Sequence, residues 1–231
     1  MRRKIQIAVQ VVLAFLIVWL GYLCYDSISI PQEFKLEKER RYEVIIERLK
    51  DIRSAQEAFK MTYNRYTDSF DELINFVKTD SVKSVKSIGE LTDEQIEAGM
   101  TESEAIKKGF ILRDTVRTPV MEYLTRTEVG VNGAKVVYQF NTAPDDLRWI
   151  PTTNRTNEFK LAAHVLVTDR GSEIPLFQAT ASDRVIFKDF FGTKYEHALL
   201  ETMFESQRLN RYVGLKVGDI NEPNGNVGNW Q

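Results

Sequence analysis

The densest group of side chains able to do chemistry lies at the end of the chain. Asp219, Asn221, Glu222, Asn224 and Asn226 bring carboxylate and amide oxygens together within one short stretch. Calcium takes oxygens of this kind, about six to eight per ion. Asp219, Asn221, Glu222 and Asn224 are therefore the candidate calcium ligands. The register excludes an EF-hand, because Pro223 stands where an oxygen ligand belongs and Gly225 falls one place late. The same residues also read as an Asn/Gly-rich turn that satisfies its own backbone. Elsewhere the chemistry is sparse. His164 and His197 are far apart, and Ser54, Ser69 and Ser182 lack the glycines of a nucleophile elbow. Asp145–Asp146 precedes the apolar Leu147, Trp149 and Ile150 and reads as a loop entering a core. No Gly-rich phosphate loop is present, and Asn154-Arg155-Thr156 is read as a chance match to a glycosylation acceptor. No catalytic residue is assigned, and the chain is read as a non-enzyme.

Charge narrows the partners. Lysine and arginine total 31 against 33 acids, so the net charge of −2 gives no electrostatic case for nucleic acid. The single cysteine, Cys24, excludes an internal disulfide framework and a cysteine zinc site. Stability must come from packing, for which 13 Phe and 9 Tyr supply large buried areas.

The element that must position everything else is Ile5 to Tyr25, which contains no charged residue. At 1.5 Å per residue it can cross a hydrocarbon core of about 30 Å as one helix. Trp19, Tyr22 and Tyr25 crowd its far end, as an aromatic belt would. Arg2, Arg3 and Lys4 precede it, so the positive-inside rule keeps residues 1–4 in the cytoplasm and sends the rest across. The run is longer than a secretory h-region of about 7–15 residues, and bulky groups fill the cleavage positions. It is read as an uncleaved anchor.

Beyond it, Asp26 to Pro31 reads as a break, since Pro31 suits a helix start but not an interior. Gln32 to Tyr63 then reads as one amphipathic helix. Tyr42, Ile45, Ile46, Leu49, Ile52, Ala55, Phe59 and Tyr63 recur at spacings of three and four. Residues 26–44 are assigned to a stalk standing clear of the domain, and 45–77 to the spine with a short second helix, Phe70 to Val77. Ser69 and Glu72 have the capping-box spacing that would start this helix. The polar residues 78–109 read as an exposed insertion with helical pieces near 92–98 and 101–108. From Phe110 the period changes to two, and residues 110–231 read as a β-rich domain with a late helix and a tail. Candidate strands are Phe110–Val116, Val120–Thr127, Lys135–Asn141, Glu158–Thr168, Glu173–Ala181 and Arg184–Phe187. The late helix runs from about Thr193 to Asn210, with Tyr195, Leu199, Met203 and Phe204 as its stripe. The fold class is α+β.

The stretch DIRSAQEAFKMTYNRYTDSFDELINFV resembles the region just past the membrane helix in type II secretion pseudopilins and type IV pilins. The pattern residues are Ile52, Ala55, Phe59, Tyr66, Phe70 and Leu73. The ending, with Gly228, Asn229 and Trp230, is similar to the Gly-Asn-Trp close of major pseudopilins. The resemblance implies a pilin-like fold, a long spine helix on a small antiparallel sheet, and calcium in the terminal loop. The chain departs from the family in having no Gly before the apolar run and no acid within it; Gln10 is the nearest polar group.

The functional expectation is a structural or assembly subunit of a bacterial trans-envelope machine, secretion or pilus-like. It is held by one span in the inner membrane with its domain in the periplasm. Gln10 would contact neighbouring helices, and Tyr42, Ile45, Leu49, Ile52 and Phe59 would pack subunits, including further copies of the chain; the same stripe, from Ile52 to Tyr63 above all, also reads as packing on its own domain. The alternative is a membrane-anchored ligand-binding or sensing module with an aromatic pocket at Tyr138, Phe140 and Trp149. An enzyme would need Asp145, Asp146 and His164 in one pocket.

Overall fold

A computed structural model describes residues 2–88, 101, 104, 107–110, 112–129, 135–137, 139–169 and 171–231. Its first element, α1, runs from Arg2 to Tyr63 without interruption. The expected break at Pro31 is absent. Proline removes one backbone donor, so only the Ser27 carbonyl loses its helical partner, and Ser27 is exposed to other donors. The helices on either side outweigh that single loss.

The first part of α1 stands apart from the protein. Val11 to Tyr25 is exposed throughout, including Phe15, Val18 and Trp19. The second part lies in the core, where Ile45, Leu49, Ile52 and Ala55 are fully buried and Ala58 and Phe59 nearly so. The stalk expected over 26–44 is shorter than its polarity suggested. Phe34, on an otherwise polar stretch, is 4% exposed and packs on Phe187 and Phe190 at ring-centre distances of 5.9 and 6.0 Å.

After α1, a turn leads to α2, Phe70–Thr79. Ser69 caps it by accepting from the Glu72 amide. The capping box is split, because the Ser69 amide donates to Thr67 Oγ1 and the Glu72 carboxylate accepts from the Thr67 hydroxyl. One face of α2, Phe70, Leu73, Ile74 and Val77, packs into the core with Phe76.

Two antiparallel strands, β1 (Ser81–Ile88) and β2 (Leu112–Pro119), then form a two-stranded ribbon paired from Ser81–Pro119 to Ile88–Leu112. Part of the stretch read as an exposed insertion with helical pieces is therefore strand. SVKSVKSI repeats every three residues and hides the period of two. The helical piece near 92–98 lies outside the described residues. For the piece at 101–108, the Glu104 amide donates to the Thr101 carbonyl and the Lys108 amide to the Glu104 carbonyl.

Val120–Leu124, expected as strand, is a short helix, α3, that buries Val120 and Leu124 four residues apart. A second two-stranded pair follows, β3 (Thr127–Val129) with β4 (Lys135–Val137), and residues 130–134 lie outside the described residues. The main sheet is antiparallel in the order β5 (Lys160–Val167), β6 (Glu173–Ser182), β7 (Gly214–Gly218). The β5–β6 turn closes with the Thr168 amide on the Ser172 carbonyl.

Arg184–Phe187, also expected as strand, instead belongs to a single helical turn, α4 (Asp183–Ile186), which ends β6 and buries Asp183 and Ile186. The last helix, α5 (Glu196–Arg208), seats Leu199 and Met203 in the core and leaves Phe204 exposed. The spine helix packs on β7, so α1 and the sheet enclose Phe177, Ala179, Ala181, Leu215 and Val217 between them.

Candidate functional site

The terminal loop is built by its own hydrogen bonds. Lys216 Nζ reaches Asp219 Oδ2 at 2.7 Å, and the Asn221 amide donates to Asp219 Oδ1 at 2.9 Å. The ammonium of Lys216 beside Asp219 holds its carboxyl below the usual range. Asn224 Oδ1 accepts from the Asn226 amide at 3.1 Å. Asn226 adopts a left-handed φ of 60°, which Asn tolerates, and donates Nδ2 to the Tyr66 hydroxyl at 2.9 Å. The candidate ligand oxygens of Asp219 and Asn224 are thus committed to a lysine and to backbone amides. A calcium ion at Asp219 would have to displace the Lys216 ammonium, and Asn221 and Glu222 are exposed beside it. Among the described residues no group of three His, Cys, Asp or Glu side chains could hold a metal ion.

The residues after the loop work as a clasp. Asn229 Oδ1 accepts from the Lys216 amide at 3.0 Å, its own amide donates to the Lys216 carbonyl at 3.0 Å, and Nδ2 reaches the Gly214 carbonyl at 2.8 Å. The Trp230 ring lies so close to Gly228 that a Cβ there would meet it at 2.4 Å. Gly228 and Asn229 thereby fix the chain end along the free edge of β7.

The spine stripe is consumed within its own chain. Ile45, Leu49, Ile52 and Phe59, expected to pack subunits, have no exposed surface to offer, because the sheet and α2 already cover them. Tyr42 is part-buried and donates its hydroxyl to Asp183 Oδ1 at 2.5 Å. Burial pushes the Asp183 carboxyl up, against the opposing pull of the Tyr42 hydrogen bond and of Lys38. The Tyr42 phenol is also pushed up, by burial and then by the Asp183 charge. Gln10 is exposed on α1 and remains free to meet another helix.

Two polar ties escape the periodic reading of the sequence. Gln56, fully buried, donates Nε2 to the Thr67 carbonyl at 2.7 Å and accepts from the Thr67 amide at 3.2 Å. Asp51 accepts from Thr142 Oγ1 at 2.5 Å, and burial raises its carboxyl. A buried Gln or Asp at a position facing the core is the cue that would have found them.

The alternatives do not assemble. His164 lines a hollow with Arg65, Tyr66 and Asp68, whereas Asp145 lines another with Asp71, Lys78 and Arg148. Asp145 pairs with Lys78 at 2.5 Å and Asp146 with Arg155 at 2.6 Å. Leu147 and Ile150 are buried as expected, while Trp149 is part-exposed. Of the expected aromatic pocket, Phe140 belongs to the core, Trp149 lines the hollow with Asp145, and Tyr138 lies outside the described residues. A different cleft of about 570 Å³ lies between α1, the end of α5 and the tail, lined by Lys38, Tyr42, Asp183, Arg211, Tyr212 and Trp230.

What these features define is a chain of the α+β class with, among the described residues, one helix long and apolar enough to cross a membrane. Compared with protein-family models, curated proteins and solved structures, it matches none.

Proposed function

We propose that the protein is a non-catalytic structural or assembly subunit of a bacterial trans-envelope machine of the secretion or pilus type. Its α1 crosses the inner membrane with the N-terminus in the cytoplasm, and a pilin-like domain stands in the periplasm. The observation that carries this reading is a single helix in two environments, bare and apolar over Val11–Tyr25 and enclosed by its own domain from Phe34 onward. Ile52, Ala55, Phe59, Tyr66, Phe70 and Leu73 are all buried, as expected for a spine that organises a small sheet. With Tyr42 to Phe59 occupied, lateral contacts fall to the apolar segment and Gln10. An interhelical hydrogen bond from Gln10 in lipid would contribute about 0.6–2 kcal/mol.

A photo-crosslinking residue at Gln10 in intact cells tests this reading. Adducts with envelope-machine subunits are the expected result. Purification from native membranes as a monomer with nothing attached overturns it.

A second reading is a membrane-anchored ligand-binding module. The cleft at Tyr42, Asp183 and Trp230 favours it, with a volume within the range of small-molecule sites. A small molecule retained through purification, and lost in Asp183→Ala, would move the assignment there.

A further inference from the structure

The domain grips α1 almost as soon as the apolar stretch ends. Asp26, Ser29 and Ile30 are already partly shielded, whereas Val11 to Tyr25 is exposed. Glu33 accepts from Lys194 Nζ at 2.6 Å and from the Tyr195 hydroxyl at 2.9 Å, and Phe34 is enclosed by Phe187 and Phe190. From Tyr25 to Glu33 the helix climbs about 12 Å. A headgroup layer occupies about 5–8 Å of each leaflet, so little clearance is left beneath the turn at 188–195. Any tilt toward the domain closes it further.

The chemistry of that turn suits a phospholipid surface. Asp189 is held by Arg41 through two bonds of 2.7 Å, Glu33 by Lys194, and Glu196 by the Gly192 amide at 2.9 Å. These acids are therefore neutralised or hydrogen-bonded within the fold. Lys188 and Lys35 are exposed with no partner among the described residues, and Phe191 is half-buried beside them. Tyr, as at Tyr195 in this turn, is enriched at membrane interfaces, and a lysine can lay its stem along the surface with its ammonium among the phosphates.

We infer that the turn at residues 188–195, with Lys35, rests on the phospholipid headgroups of the membrane that α1 crosses, and so fixes the height of the domain. The inference rests on the proposed span, and its test separates the two. The full chain is placed in vesicles of phosphatidylcholine and phosphatidylglycerol carrying a nitroxide-headgroup lipid. A fluorophore is attached to native Cys24, or to K188C or M61C in a C24S background. Quenching at position 188 within about twofold of that at Cys24, with little at position 61, is the expected result. A seven-residue helical insert after Asp26 lifts the domain by about 10 Å while nearly keeping its facing, and should abolish quenching at 188 alone. Quenching at Cys24 but not at 188, or quenching at 188 that survives the insert, overturns the docking surface and leaves the span intact. No quenching at Cys24 overturns both.

Discussion

Tyr42 on the spine helix donates its hydroxyl to Asp183 at 2.5 Å, across 141 positions of sequence, and joins α1 to the end of β6. Asp183 is 2% exposed, so the bond is also what makes that carboxyl tolerable inside the protein. Tyr42→Phe removes the donor and keeps the ring. Loss of about 1–3 kcal/mol of stability is expected, read by thermal unfolding of the full chain in detergent. An unchanged melting temperature would show that water or Lys38 supplies the missing partner.

The same carboxyl gives a pH dependence with a definite sign. Burial raises Asp183 and Asp51 in the folded chain, so both hold protons more tightly there than in the unfolded chain. Their contribution therefore falls as pH rises from the unfolded carboxylate value of about 4 through the raised one. Arg40 acts oppositely on Glu37, holding it down to about 2, so that contribution is lost as pH falls through the acid range. Asp183→Asn should flatten the decline above pH of about 4 and leave the acid limb in place. Melting temperatures measured from acid to neutral pH distinguish the two limbs.

Gln56 holds the turn after α1 by both of its amide atoms. Gln56→Leu leaves the Thr67 amide and carbonyl buried without partners. A loss of about 2–4 kcal/mol is expected, more than an exposed Gln on the same helix would give. Hydrogen exchange at the Thr67 amide should rise in step with it.

Phe59 packs against Tyr63 and Phe76 at 4.7 and 5.1 Å between ring centres, under full burial. Phe59→Ala should cost about 3–5 kcal/mol through lost burial and the cavity left behind. Phe204→Ala, on the exposed face of α5, should change stability by less than about 0.5 kcal/mol. Equal effects at the two sites would mean that the spine is not the core.

Gly228→Ala drives a methyl group into the Trp230 ring and should loosen the tail from β7. A red shift of tryptophan emission and faster proteolysis after Gly218 are the expected readouts. Added calcium should leave the melting temperature of the parent chain unchanged, because Lys216 and the Asn221 and Asn226 amides already engage the oxygens of Asp219 and Asn224. A ligand at ten times its Kd would have stabilised the chain by about 1.4 kcal/mol.

What the sequence makes legible is what is local and periodic. Ile45, Leu49, Ile52 and Phe59 announce a buried helix face, and Glu173 to Ala181 announces a strand. Val120–Leu124 and Asp183–Ile186 are too short for a period to decide, and burial of Val120 and Leu124, or of Ile186, selects helix. β7 is missed because GLKVG is five residues bounded by glycines and reads as tail. Phe34 looks exposed until Phe187 and Phe190 arrive from the other end of the chain. The Tyr42–Asp183 and Gln56–Thr67 ties need neighbours that only the fold supplies. The terminal loop was legible as a cluster of oxygens, but nothing in the spacing turns the Lys216 ammonium onto Asp219.

The unbroken course of α1 through Pro31 makes the apolar segment a lever for everything above it. From Tyr25 to Tyr63 the helix is about 57 Å long, so leaning the buried end by about 10° swings the far tip by about 10 Å. Under the proposed span, a neighbour that reorients the helix in lipid would sweep the whole sheet sideways, with no rearrangement inside the domain.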